Sequence, residues 1–127
     1  MENIEEKLIK AVEALNQSNY QVAFDIFKPL AEQGNAKAQF YLGFLYRIGK
    51  IVNQDYQQAY NWYLLSAEQG YAEAQYKVGL MNYKGQVVDQ DYQKAFKWYS
   101  LAAEQGDRKA QFNLGVLYRR AQGITQD

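Results

Sequence analysis

The chain has 127 residues, 48% apolar and 22% charged, a balance that fits one globular domain and argues against disorder. Fourteen basic residues against fourteen acidic ones sum to zero, so there is no electrostatic case for nucleic acid or an anionic membrane as the main partner. Cysteine and histidine are both missing, which removes disulfides, thiolate zinc sites, the commonest general base and the commonest metal ligand.

The opening stretch, MENIEEKLIKAVEALNQSN, has acids where a secretory signal carries basic residues, and its apolar positions are spaced rather than continuous. No apolar run approaches the roughly 18 residues of a membrane span. A cytoplasmic protein is the expectation. Ile4, Leu8, Ala11, Val12 and Leu15 share one helical face, which predicts a first helix that also caps the domain, kept soluble by Glu2, Glu5, Glu6 and Glu13.

From Tyr20 onward the chain repeats itself. At an offset of 36, residues 35–70 align with 71–106 at half their positions, the match running on into 107–127 and back into 20–34. Such a period marks stacked supersecondary units, each too small to bury its own apolar face. Within a unit the spacing is helical: Ala36, Phe40, Gly43 and Phe44 fall at three- and four-residue steps, and so do Tyr56, Ala59, Tyr60, Tyr63 and Ala67. Each repeat is therefore predicted to hold two amphipathic helices. Gly49 and Gly85 should end the first helix, Asp55 and Asp91 should cap the second, and Gly34, Gly70 and Gly106 should close it.

The word AEQG stands at 31–34, 67–70 and 103–106. Its alanine is expected at a close contact and its glycine at a left-handed turn, with Glu and Gln facing solvent. Gly43, Gly79 and Gly115 recur inside helices at a cost of about 1 kcal/mol each relative to alanine, so they read as notches for a neighbouring helix. Trp62, Trp98, Tyr63 and Tyr99, with Ile26 and Phe27 in register, are the large residues expected opposite. After ITQD the period calls for another second helix; the natural protein either continues or something else covers the last helix.

Together these residues resemble the Sel1-like repeat family, a relative of the tetratricopeptide repeat. The pattern is Ala38, Leu42, Gly43, Tyr46, Gly49, Val52, Asp55, Ala59, Trp62, Tyr63, Ala67 and Gly70, recurring at Ala74, Gly79, Gly85, Val88, Asp91, Ala95, Trp98, Tyr99, Ala103 and Gly106. A partial third copy gives Ala110, Leu114, Gly115, Tyr118 and Gly123. Departures are Val78 for leucine, Asn82 for tyrosine, and Ile51 and Val87 where the family often has a second glycine.

The resemblance implies an all-α fold, a right-handed superhelical solenoid of antiparallel helix pairs with about seven helices. One domain of residues 1–127 would divide into a capping pair (1–34), two repeats (35–70 and 71–106) and a partial repeat (107–127). It also implies binding of a protein or peptide in a concave groove lined by first helices, as an adaptor or scaffold, with no chemistry, cofactor or metal. A remote alternative that the resemblance implies is a cell-wall or β-lactam hydrolase-like enzyme, but the relatives associated with that chemistry are cysteine-rich and this chain has no cysteine.

The residues expected to face such a groove are Lys37, Phe40, Phe44 and Arg47; Glu73, Tyr76, Leu80, Tyr83 and Lys84; then Lys109, Phe112, Val116, Arg119 and Arg120. Aromatic and arginine side chains dominate interface energetics, and a ladder of Phe40, Tyr76 and Phe112 suits an extended or helical peptide. The same ladder also suits inter-helix packing, and spacing alone leaves both readings open. Residues 1–34 hold three basic and six acidic side chains, against four and two in 107–127. That gradient would orient a charged peptide, with Arg119 and Arg120 gripping a carboxylate; an ordinary solvated surface is the other reading. Self-assembly through residues 108–120, including Leu114, Leu117 and Tyr118, is an alternative role. One glycine per loop makes no phosphate cradle, and Glu5 and Glu6 point to different helix faces, which argues against an acid/base pair.

Overall fold

The computed structural model describes residues 1–125 and is helical throughout. The elements are α1 (Ile4–Asn16), α2 (Tyr20–Glu32), α3 (Ala36–Ile48), α4 (Tyr56–Glu68), α5 (Ala72–Lys84), α6 (Tyr92–Glu104) and α7 (Arg108–Thr125). There are seven helices and no strand among the described residues. Each helix packs chiefly against the helices before and after it in sequence, the contact pattern of a solenoid.

Side-chain caps start most of the helices. Asp55 and Asp91 accept hydrogen bonds from the backbone N–H of Gln58 and Lys94, both at 3.0 Å, as their placement predicts. Asn35 and Asp107 do the same for Ala38 and Ala110 at 2.9 Å. At the far ends, Gly34, Gly70 and Gly106 take φ of 96°, 94° and 94°, so the chain reverses where a side chain would be strained.

The loops inside each repeat also match one another. Gln54 Nε2 donates to the Arg47 carbonyl at 2.8 Å and Gln90 Nε2 to the Tyr83 carbonyl at 2.9 Å, bracing the left-handed glycines 49 and 85. α7 behaves differently, continuing to Thr125: the position where Gly49 and Gly85 end α3 and α5 is Ala121 here, with no glycine to turn the chain. The counterpart of the bracing glutamines is Gln126, which lies outside the described residues.

The core forms three successive clusters. The first centres on Ala23, Phe27, Leu42 and Leu45, the second on Phe40, Tyr63, Val78 and Met81, and the third on Ala95, Tyr99, Ala110 and Leu117. Small residues at helix crossings let the large ones interlock. A β-carbon on Gly43 would lie 2.9 Å from Tyr63 Cδ1, and one on Gly79 would lie 2.7 Å from Tyr99 Cδ1. These are the notches expected from the recurring glycines, and the tyrosine of the Trp-Tyr pair fills each one.

The AEQG glutamines are exposed as expected, and in the second and third copies they also bond to the preceding repeat. Gln69 Nε2 donates to the Gly34 carbonyl at 2.8 Å and to Gln39 Oε1 at 2.9 Å, and Gln105 does the same to Gly70 and Gln75 at 2.8 and 3.0 Å. Gln39 and Gln75 in turn donate to the carbonyls of Ala31 and Ala67 at 3.2 Å. The carbonyls at each second-helix end therefore receive donors from the next repeat. Both the glutamate and the glutamine of the word are exposed in all three copies.

Candidate interaction cleft

Three first helices meet along one surface. A cleft of about 310 Å³ is lined by Phe40 of α3, by Glu73, Tyr76 and Lys77 of α5, and by Arg108 and Lys109 of α7 with its cap Asp107. A second recess of about 190 Å³ continues between α5 and α7, lined mainly by Leu80, Tyr83, Lys84, Asn113 and Val116. The matching 36-residue register of the repeats places these side chains side by side: Tyr76 stands one period after Phe40, and Lys109 one period after Glu73.

Of the groove residues expected from sequence, Phe40, Glu73, Tyr76 and Lys109 line the first recess and Leu80, Tyr83, Lys84 and Val116 the second. Arg47 stacks over Phe44 at 5.4 Å, and Arg120 over Tyr83 at 5.4 Å. Arg119 Nη1 lies 3.6 Å from where a β-carbon on Gly115 would sit. Lys37 and Phe44 are half-buried and line neither recess.

The aromatic ladder is not a uniform open surface. Phe40 is 6% exposed, enclosed by Tyr41, Tyr63 and Tyr71 with ring centroids 5.1, 5.5 and 5.4 Å away. Its equivalent Tyr76 is half-buried against Tyr99, and Phe112 is 69% exposed. Phe40 and Tyr76 are each covered by the second helix of their own repeat and by the repeat that follows. Phe40 is therefore core with one edge at the cleft floor, so of the two readings left open for the ladder, inter-helix packing describes most of this ring. The face of 108–120 is also partly closed: Leu117 is buried in the third cluster and Leu114 packs against it. Phe112 and Tyr118 remain exposed, with Tyr118 edge-on to Phe96 at 5.3 Å.

Lys77 was missed because it falls between the aromatic positions of the ladder. Its ammonium approaches the Tyr76 ring to 5.8 Å, and Lys109, from the next repeat, approaches the same ring to 5.9 Å. Burial lowers the Lys77 pKa from its ordinary value of 10.5, and the cations Arg47, Lys109 and Lys84 lower it further against the opposing effect of Glu73. The one ion pair among the described residues is Lys10–Glu2, at 4.0 Å and far from this surface. The cleft cations are thus clustered and unpaired, and the charge neutrality of the whole chain concealed them.

Three buried polar groups stand on the helices around this surface. Arg47 Nε and the Tyr63 hydroxyl are buried without a hydrogen-bond partner, as is the Tyr99 hydroxyl. Burial raises the Tyr63 pKa above 10.0, while the nearby Arg47 guanidinium opposes the rise. Burial likewise raises the Tyr99, Tyr71 and Tyr41 phenols. Among the described residues no group of three or more His, Cys, Asp or Glu side chains converges in a way that would hold a metal ion.

The 36-residue period, the glycine notches and the Trp-Tyr pairs now stand together with a family profile. The profile described as Sel1 repeat matches residues 36–71, 72–107 and 108–127. The chain belongs to the Sel1 repeat family. The Sel1 repeat protein from Oxalobacter formigenes superimposes with a TM-score of 0.79 at 32% identity, covering 89% of this chain and 88% of that one. A protective antigen of uropathogenic Escherichia coli displaying an SLR fold gives 0.85 at 35% identity over 93% of this chain. This chain spans only 26% of that antigen's length. The cysteine-rich protein B of Helicobacter pylori shares the fold, with a TM-score of 0.71 at 19% identity, over 87% of this chain and 94% of its own. No curated protein matches the chain significantly. Sel1-like repeats generally mediate protein–protein interaction. No helix among the described residues is long and apolar enough to cross a membrane.

Proposed function

We propose that this Sel1 repeat domain is a non-enzymatic adaptor that holds a partner protein or peptide on its first-helix surface. One observation carries the reading: α3, α5 and α7 together line a cleft whose lining mixes an aromatic ring, aliphatic side chains and unpaired cations. Such a mixture matches the energetic anchors of protein interfaces. A cytoplasmic setting is part of the proposal, supported by the lack of cysteine.

The test is site-specific photo-crosslinking in cells. A crosslinker placed at Leu80, Tyr83 or Val116 should capture a discrete protein partner, and one at Leu65 or Leu101, exposed on second helices, should not. Capture from the second-helix positions alone would move the binding face elsewhere.

Self-association is the second reading, favoured by the exposure of Phe112 and Tyr118 on α7. Sedimentation velocity separates the two: a concentration-dependent dimer abolished by Phe112→Ser supports self-association, and a strict monomer through the micromolar range removes it.

A further inference from the structure

The cleft also indicates the chemistry of its occupant. Lys77 and Lys109 approach one ring, that of Tyr76, from two different repeats. Arg47 on α3 and Lys84 on α5 lie close enough to act on the Lys77 charge. Arg120 stacks over Tyr83 beside the second recess. None of these cations is in an ion pair among the described residues.

Two acids share the surface. Asp107 spends a carboxylate oxygen on the Ala110 N–H at 2.9 Å, where it also meets the positive end of α7. Glu73 sits in the first turn of α5, and its charge acts on Tyr41, Tyr71 and Lys77. The balance in the cleft is positive although the chain is neutral. Lysines crowded this way repel one another, and a ligand that supplies carboxylates relieves that repulsion while gaining its own attraction.

We propose that the cleft between α5 and α7 takes an acidic segment of a partner protein, its carboxylates meeting Lys77 and Lys109 beside Tyr76 and reaching toward Lys84 and Arg120. This rests on the reading that the first-helix surface is the binding face. A nucleic acid suits the site less well, because a regular run of phosphates would meet Glu73 and Asp107 on the same floor. A peptide can place its carboxylates between them. The apolar lining of the adjoining recess accommodates side chains that a phosphodiester backbone lacks.

Fluorescence anisotropy tests the idea with four labelled probes of about twelve units, a usual length for a groove-bound segment. They are a Glu-Ser repeat peptide, its Gln-Ser and Lys-Ser counterparts, and oligothymidylate. The Glu-Ser probe should bind about tenfold more tightly than Gln-Ser and weaken as salt rises. Lys77→Gln and Lys109→Gln should each lower its affinity about fivefold, and Lys28→Gln, on α2, should leave it unchanged, with helical content retained throughout. If Gln-Ser binds as tightly and the cleft variants weaken it too, acid selection is overturned and the binding face stands. If Glu-Ser binds but ignores both cleft variants, the inference and the binding face fall together. Tighter binding of oligothymidylate assigns the cleft to nucleic acid, and no binding by Glu-Ser overturns the proposal.

Discussion

Gln105 Nε2 donates to the carbonyl of Gly70 at 2.8 Å, tying the end of one repeat to the end of the one before it. Gln69 makes the same bond to Gly34. Gln33 occupies the same place in the first AEQG but makes no such bond among the described residues. A bond of this kind contributes about 1 kcal/mol net. Gln69→Ala should therefore cost about 1 kcal/mol in urea unfolding and Gln33→Ala almost nothing. Gln69→Glu should cost more than Gln69→Ala, because a carboxylate would face two acceptors, Gly34 O and Gln39 Oε1. Equal effects at 33 and 69 would show that the inter-repeat bond contributes no stability.

The notch glycines predict a change of sign at one repeat position. Alanine gains about 1 kcal/mol of helix propensity at all three. At Gly43 and Gly79 the added methyl collides with Tyr63 or Tyr99 at under 3 Å, in a core that relaxes poorly. At Gly115 the nearest atom is the flexible end of Arg119 at 3.6 Å. Thermal unfolding should show Gly43→Ala and Gly79→Ala destabilised by about 1–3 kcal/mol and Gly115→Ala stabilised by somewhat under 1 kcal/mol. A stabilised Gly79→Ala would mean that α5 and α6 are less closely fitted than the structure shows.

Val87 offers a gain rather than a loss. Its φ is 68°, and the Val88 N–H donates to the Gln86 carbonyl at 2.7 Å across it, the pattern of a γ-turn that is strained for an L residue and more so for a β-branched one. Its equivalent Ile51 does not have positive φ. Val87→Gly should raise stability by about 1 kcal/mol and Ile51→Gly should lower or leave it, measured by chemical denaturation. A destabilised Val87→Gly would show that the valine side chain outweighs the strain.

The periodicity disclosed the helices, their caps and the Gly–Tyr notches, because each depends on residue type at a fixed spacing. Contacts between repeats were less legible. Gln69 looks like an ordinary polar helix end until Gly34 is placed beside it, and no local pattern foretells a bond spanning 35 residues. Asn82 shows the same limit: it departs from Tyr46 and Tyr118, yet it is buried and donates to the Val78 carbonyl at 2.9 Å and to Tyr60 Oη at 3.4 Å. Where tyrosine holds the position, as at Tyr118, the facing residue is Phe96. A ring is exchanged for a hydroxyl partner, a pairing visible only once the two positions touch. For the cleft, sequence named the aromatic positions but not Lys77, since helix rotation decides which neighbour turns inward.

The unequal burial of the ladder separates its structural and binding roles. Phe40→Ala removes a ring enclosed by three tyrosines and should cost about 3–5 kcal/mol. Phe112→Ala removes an exposed ring and should change stability by no more than about 0.5 kcal/mol. Circular dichroism during urea titration gives both values. A Phe40→Ala variant as stable as Phe112→Ala would place Phe40 on the open groove and not in the packed core.

Alkaline pH should loosen the domain through its tyrosines. Tyr41, Tyr63, Tyr71 and Tyr99 have folded-state pKa values raised above 10.0, chiefly by burial. Above that pH the unfolded chain releases phenol protons that the folded chain retains, so the stability they contribute is fully present below 10.0 and is lost as pH rises through the folded values. Lys77 acts in the opposite sense at lower pH. Its folded pKa is depressed, so between that value and 10.5 the unfolded state binds more protons and stability rises with pH. The urea midpoint should climb slightly toward pH 10 and then fall, and Lys77→Met should remove the climb while leaving the fall. A midpoint that stays level to about pH 11.5 would show the four phenols ionising as readily in the folded protein as in the unfolded chain.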